Sequence, residues 1–102
     1  MNQNNGKHKF ILLHPKDNVL VCTNVCQSGE MIKVEGRDIM LDQDITVGHK
    51  IARDKLSAGS KVFKCGAPIG SMTQDVNIGD HVHMHNLKSD YLASHLRTAT
   101  GE

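Results

Sequence analysis

Aromatic side chains are scarce, because the chain has no tryptophan, two phenylalanines and one tyrosine. A hydrophobic core must then be built from Val, Ile, Leu and Met, and we expect it to be small. The 102 residues suit one domain, and by surface scaling such a domain buries about two thirds of its unfolded surface. A complete active site for a large substrate is not expected from this chain alone.

Strong charge of one sign and long apolar runs are also missing. The formal net charge is +1 and the lysines and arginines are scattered, so no basic patch indicates binding to nucleic acid or to an anionic membrane. Residues 1–8 are polar and lack the apolar segment of a secretory signal, and no run approaches membrane-spanning length. We therefore expect a cytoplasmic protein without nucleic-acid or membrane partners, with a disordered lead-in over residues 1–8.

Cysteine is sparse and does not form a pairing pattern. Cys22, Cys26 and Cys65 are odd in number and include no Cys-x-x-Cys pair. This argues against a disulfide framework and against a ribbon-type zinc site. Cys22 lies in an apolar run and is interpreted as a core residue; Cys65 is interpreted as packed rather than reactive.

Short apolar or alternating runs recur about every ten residues between turn residues, which is typical of many short strands. Glu35 and Gly36 predict a hairpin turn, because glycine accepts a positive φ, and Asp17 or Asn18 is predicted to cap its own turn. A short helix and tail are predicted over residues 89–102, and no internal repeat stands out. The sequence predicts an all-β domain with strands at 10–13, 18–22, 31–34, 38–41, 61–64 and 80–86.

The most informative segment contains three of the seven histidines, His81, His83 and His85, which alternate with Val82 and Met84. On an extended strand the three imidazoles would share one face, spaced by roughly 6–7 Å. Two of them could then converge on one metal ion or one anion. The alternative is a strand whose solvent-facing side happens to carry histidine.

Two other segments carry polar groups suited to binding an acid. His49 lies beside Lys50, and such a pair can bind a carboxylate or supply a base whose pKa the cation lowers. In residues 64–70, two glycines and a proline constrain the backbone and leave amide groups for an anion, to which Lys64 would add charge. Each segment taken alone also fits an exposed polar loop or a rigid turn.

Four motifs follow one another along the chain, and three of them have the order and spacing of a known family: Asp17-Asn18-Val19, Gly48-His49-Lys50, Lys64-x-Gly66-x-Pro68-Ile69-Gly70 and Val82-His83-x-His85-Asn86. Together they resemble the N-terminal SAF domain of the altronate and galactarate dehydratase family over about residues 9–87, and we predict a SAF domain over residues 9–88. The resemblance implies a compact SAF-type β-clip domain, fused ahead of a larger catalytic region or made as a small subunit, and it extends to a sulfolactate sulfo-lyase small subunit. Cys65 stands where relatives often have an aromatic residue.

The resemblance implies a hydro-lyase that removes water from a sugar acid with a divalent metal, iron or manganese, shared with the larger region. Charge builds up when the proton beside a carboxylate is lost, so a metal, a base and an acid would all assist. The chain would be a subunit or a fragment, inactive without its larger catalytic partner. Its oligomeric state, including a homo-oligomer, is left open.

On this resemblance His83 and His85 are assigned to catalysis and metal contact, and His49 to general acid or base catalysis. The predicted substrate-binding residues are Lys50, Lys64 and Asn86. His81 has no assigned role, because the matching family position is less fixed. The alternatives are a non-catalytic module that binds a sugar acid or anion, and a stand-alone metal-binding protein.

Overall fold

The structure, a computed structural model, describes residues 9–90. The described part is built from strands: β1 (Phe10–Ile11), β2 (Val19–Cys22), β3 (Met31–Val34), β4 (Arg37–Met40), β5 (Lys50–Ala52), β6 (Lys61–Lys64), β7 (Ala67–Met72), β8 (His81–Val82) and β9 (Leu87–Lys88). The all-β prediction is confirmed. The predicted lead-in and the predicted helix and tail after residue 90 lie outside the described residues. Residues 9–90 contain no helix that is long and apolar enough to span a membrane.

The strands form three antiparallel sheets. The central sheet has the order β1-β2-β5-β8, the hairpin β3-β4 stands beside it, and the third sheet has the order β6-β7-β9. In the central sheet Lys50 is paired with Val82, and Ile51 with His81. This register brings the start of β5 next to β8, so segments far apart in sequence meet at one place.

The strand prediction over residues 80–86 is wrong beyond Val82. The chain turns at residues 83–86, where the backbone N–H groups of Asn86 and Leu87 donate to the carbonyl of His83 at 2.9 and 2.8 Å. The sequence reading also missed β5, β7 and β9. Strand β7 was hidden by Pro68 and Gly70, and the ladder accommodates these residues with a shift of register between Val62 and Phe63 on β6.

The predicted hairpin turn at Glu35 and Gly36 is confirmed, with φ values of 51° and 81°. A second turn, at Cys65 and Gly66, has nearly the same values, 57° and 81°. Positive φ at both central residues belongs to the two-residue turn that matches the twist of a hairpin. The interpretation of residues 64–70 as a rigid turn between strands is therefore confirmed, and the turn is that of a hairpin.

The free amides predicted in this segment for an external anion are already occupied. The Asp17 carboxylate accepts the N–H groups of Cys65 and Gly66, each at 2.8 Å. Asn18 also braces the hairpin, because its Oδ1 accepts the N–H of Phe63 at 2.8 Å. The prediction that Asp17 or Asn18 caps a local turn is therefore wrong, since both bind a hairpin that is distant in sequence.

Residues 22–51 and 52–82 repeat the same plan, contrary to the sequence reading. In each unit a loop glycine with a φ near 90° donates its N–H at 2.7 Å across the unit, from Gly29 to Leu41 and from Gly59 to Met72. Further equivalent pairs are Cys26 and Leu56, Gly36 and Gly66, Ile45 and Val76, and Gly48 and Gly79. The repeat escaped notice because the units share turn glycines and apolar positions but few other residues.

Each unit contributes to its own small core. The first cluster contains Leu20, Cys22, Cys26, Ile32, Val34, Leu41, Ile45 and Ile51, and the second Val19, Ala52, Leu56, Val62, Met72, Val76 and Val82. The small aliphatic core and the burial of Cys22 agree with the sequence reading. Cys65 is exposed at the tip of its hairpin, so its interpretation as a packed residue is wrong.

Candidate functional site

Four imidazoles gather where β5 and β8 meet, and we call His49, His81, His83 and His85 the histidine cluster. The ring centroid of His49 lies 5.1 Å from that of His81 and 4.7 Å from that of His83. The rings of His81 and His83 are stacked at 5.4 Å with an interplanar angle of 10°, and His85 is 5.4 Å from His81. The alternating histidines therefore do lie together, and the sheet adds His49 to them.

Asn86 shapes the turn that gathers these rings. Its side chain is buried: Oδ1 accepts the N–H of His83 at 2.9 Å, and Nδ2 donates to the carbonyl of His81 at 2.9 Å. The turn folds the histidine row back on itself, so the rings are not spaced along one pleated strand as predicted. The amide of Asn86 is thus used as a structural brace, and its role toward a substrate stays a prediction.

Gln43 was missed by the sequence reading, and nothing in the sequence marks it. Its side-chain amide nitrogen lies 3.2 Å from Nδ1 of His81. Nε2 of His81 in turn lies 3.0 Å from Nδ1 of His49. A hydrogen-bonded chain therefore runs from Gln43 through His81 to His49.

The environment of the cluster disfavours protonation. Burial, followed by the positive charges of His49, His85, His83 and Lys50, lowers the pKa of His81 to about 4. Desolvation and the neighbouring cations also lower the pKa of His83. Imidazoles that resist protonation keep lone pairs available, which suits metal or proton-transfer chemistry.

Lys50 adjoins the cluster, and Lys64 is close enough to act on Lys50. Burial lowers the pKa of Lys50, and the charge of Lys64 lowers it further. Lys50 also acts electrostatically on His81 and His83. A cation that is crowded by another cation is relieved by binding an anion.

We expect the cluster to weaken the fold in mild acid. The folded-state pKa of His81, about 4, lies below its ordinary 6.5, so between these values the unfolded chain binds more protons. The contribution of His81 to the free energy of unfolding is complete above pH 6.5 and is lost as the pH falls through about 4. Urea unfolding of the metal-free chain at several pH values measures the free energy of unfolding. This free energy should fall less steeply over the window for His81→Gln than for the wild type. Parallel curves for the two proteins would contradict the expectation.

Three of the imidazoles are close enough to share a metal ion. The ligand nitrogens of His49, His81 and His83 all lie within 4.8 Å of one another. The 3.0 Å between the nitrogens of His49 and His81 also fits adjacent ligands bound at about 2.1 Å each. Imidazole suits several divalent metals, but further ligands would have to come from elsewhere. The three nitrogens therefore fit a metal ion, although its binding would replace the hydrogen bond between His49 and His81, and the group does not include His85.

The cavities do not all coincide with the cluster. A cavity of about 190 Å³ borders His81 and His85. A larger one of about 330 Å³ contains no histidine, and its Arg53 donates from Nε to Glu35 at 2.7 Å and from Nη1 to the Asp17 carbonyl at 2.8 Å. Because this guanidinium is already engaged within the chain, the smaller cavity is the one relevant to histidine chemistry.

Comparison with known proteins agrees with the resemblance of the motifs. A family model described as the altronate/galactarate dehydratase SAF domain matches residues 8–90. The altronate dehydratase of Bacillus subtilis is 41% identical over 81 residues, which are 79% of this chain and 16% of that protein. The altronate dehydratase of Escherichia coli is 35% identical over 82 residues, 80% of this chain and 17% of that protein.

A third relative is smaller. The (2R)-sulfolactate sulfo-lyase subunit alpha of Paracoccus pantotrophus is 48% identical over 46 residues, 45% of this chain and 69% of that subunit. This chain spans only about a sixth of the length of the altronate dehydratases it matches. The match of the family model over nearly all described residues shows that the chain belongs to the altronate/galactarate dehydratase SAF domain family.

Proposed function

We propose that this domain supplies imidazole and lysine side chains to a hydro-lyase active site that a larger catalytic region completes. The observation that carries the proposal is the histidine cluster itself, four rings within about 5 Å of a neighbour and bordered by Lys50. Relatives named altronate dehydratase and sulfolactate sulfo-lyase support a lyase acting on a hydroxy acid. We also propose that the protein acts in the cytoplasm.

The lysines suit the acid group of such a substrate. Lys50 is partly desolvated and Lys64 lies close enough to lower its pKa. A carboxylate placed between them would neutralise this repulsion and form charge-assisted hydrogen bonds. We assign Lys50 and Lys64 to holding the substrate carboxylate.

The histidines suit the proton transfers. Dehydration of a hydroxy acid requires loss of the proton beside the carboxylate and protonation of the departing hydroxide. One of these transfers by His49 is supported by its position, because it lies next to His83 on one side and is hydrogen-bonded to His81 on the other. We assign it as general acid or base.

A divalent metal, iron or manganese, is proposed to be held by His83 and His85 together with ligands of the larger region. His83 also belongs to the group of three nitrogens that lie within 4.8 Å of one another. When bound, the metal would stabilise the negative charge that develops on the substrate. Asn86 holds the turn that carries both histidines, so its contribution comes through their position.

The experiment is a chimera in which this chain replaces its matching segment in the altronate dehydratase of Bacillus subtilis. The intact enzyme and the enzyme lacking the segment serve as controls, and the substrates are altronate, galactarate and (2R)-sulfolactate. We expect turnover of at least one of them by the chimera and none by the isolated chain.

The other functions predict different results. A chimera that assembles like the intact enzyme and binds a hydroxy acid without turnover would contradict the lyase assignment in favour of a binding module. Tight metal binding by the isolated chain, together with a chimera that neither binds nor turns over any of the three acids, would favour a stand-alone metal-binding protein.

A further inference from the structure

Gln43 lies within hydrogen-bond distance of the first of two linked histidine rings. A neutral imidazole has one N–H group and one lone pair, so a hydrogen bond to one nitrogen decides the state of the other. The amide nitrogen of Gln43 is only a donor, and it lies 3.2 Å from Nδ1 of His81. With the amide nitrogen facing the ring in this way, Nδ1 of His81 accepts and the proton of His81 stands on Nε2.

The same reasoning carries one ring further. Nε2 of His81 lies 3.0 Å from Nδ1 of His49. Because His81 donates here, Nδ1 of His49 accepts, and the proton of His49 stands on its Nε2. With the amide in this orientation, the opposite order would set an N–H of His81 against the N–H of the Gln43 amide, which is repulsive.

We propose that Gln43 is a positioning residue that holds His81 and His49 as Nε2–H tautomers, so that His49 presents a proton donor to the bound hydroxy acid. The role of His49 toward a substrate rests on the proposed function. The assignment of the two tautomers is independent of that function. Of the two roles left open for His49, general acid and general base, the inference selects the acid that protonates the departing hydroxide. The Nε2 proton of His49 moves to the departing hydroxide to form water, and the proton that the base removes beside the carboxylate restores the neutral ring.

The hydrogen-bonded chain also divides the cluster. Nδ1 of His49 and both ring nitrogens of His81 are engaged with one another or with Gln43. Among residues 9–90 no hydrogen bond engages the rings of His83 and His85, so these two offer free nitrogens for a metal. Proton donation and metal binding thereby fall to different histidines.

The internal repeat supplies a matched control. Gln74 occupies in the second unit the position that Gln43 occupies in the first, one residue before Asp75 and Asp44 respectively, whose carboxylates accept equivalent backbone N–H groups at 2.8 Å. The amide of Gln74 donates to the backbone carbonyl of His85 at 3.3 Å and not to a ring. Replacing it removes an exposed glutamine near the cluster without touching the proton chain.

The test is long-range ¹H–¹⁵N spectroscopy of the metal-free chain labelled in its histidine rings, at a pH above the ordinary imidazole pKa. These spectra distinguish an Nδ1–H from an Nε2–H ring. We expect Nε2–H signals for His49 and His81 in the wild type and in Gln74→Leu, and a mixture of tautomers in Gln43→Leu. In Gln43→Glu the new carboxylate accepts the Nδ1 proton of His81, so both rings should reverse to Nδ1–H.

An Nδ1–H signal for His49 in the wild type, or unchanged tautomers in Gln43→Glu with a wild-type backbone spectrum, would overturn the inference. The spectra need neither substrate nor partner. If the chimera lacks turnover while the tautomers are as expected, the proposed function fails and Gln43 keeps its assignment. If the chimera is active and the tautomers do not respond to Gln43→Glu, the inference on Gln43 fails alone.

Discussion

His49→Gln is expected to lower kcat of the chimeric enzyme by about 10²–10⁴-fold, the usual contribution of a positioned acid or base. KM should change little, because the substrate carboxylate is assigned to Lys50 and Lys64. The fold should be kept, since His49 is held by its backbone: its carbonyl accepts the N–H of Cys22 at 2.8 Å, and its N–H donates to Thr46 at 3.1 Å. The measurement is steady-state kinetics with the sugar acid that the chimera turns over.

The matched control is His14→Gln. His14 lies against Gly66, outside the histidine cluster, and its Nδ1 accepts the N–H of Lys16 at 3.0 Å. We expect its kcat to stay within about twofold of the parent chimera, because surface changes away from the reacting groups have small effects. A loss of less than tenfold for His49→Gln, or equal losses for the two variants, would remove His49 from the proton transfer.

Asp17→Ala is expected to destabilise the domain by about 3 kcal/mol, because it leaves two backbone N–H groups of the second hairpin without their acceptor. Asp17 is 2% exposed, and its two carboxylate oxygens accept the N–H groups of Cys65 and Gly66. These amides sit in a turn with positive φ at both residues, so the carboxylate also holds a backbone shape that few sequences adopt unaided. Urea unfolding of the isolated domain measures the loss.

Two further variants separate the hydrogen bonds from charge in general. Asp17→Asn keeps one acceptor and should lose about 1–2 kcal/mol. Asp38→Ala breaks an exposed ion pair with Lys33, whose atoms are 2.7 Å apart, and should change stability by less than about 1 kcal/mol. A loss for Asp17→Ala no larger than that for Asp38→Ala would show that the carboxylate does not secure the hairpin.

The two predictions concern motifs that were recognised together but serve different ends. His49 and the histidines of residues 81–85 meet at one surface. Asp17 and Asn18 bind the hairpin of residues 61–66, so their place in the motif has a structural explanation. A set of motifs in fixed order identifies a family, yet it does not separate residues that hold the fold from those that face a ligand.

Local chemistry explains what was predictable. Short apolar runs between turn residues indicate strands because side chains alternate across a pleated backbone, and Glu35-Gly36 indicates a hairpin because its two central residues require positive φ. Strand β5 was not predicted, because three residues carry too little periodicity to be recognised. Strand β9 was missed for the same reason, since its two residues gain order only by pairing with Ser71 and Met72.

By itself the sequence determined the all-β class, the first hairpin, the family and the importance of the row from His81 to His85, since each depends on residue types and spacing along the chain. Only the tertiary structure decided that His49 joins that row, that Gln43 donates to it, and that Asp17 belongs to a distant turn. The physical reason is register: β5 and β8 pair through backbone hydrogen bonds whose alignment is set by buried side chains on both strands. Contacts made across that pairing join residues whose separation in the sequence carries no trace of them.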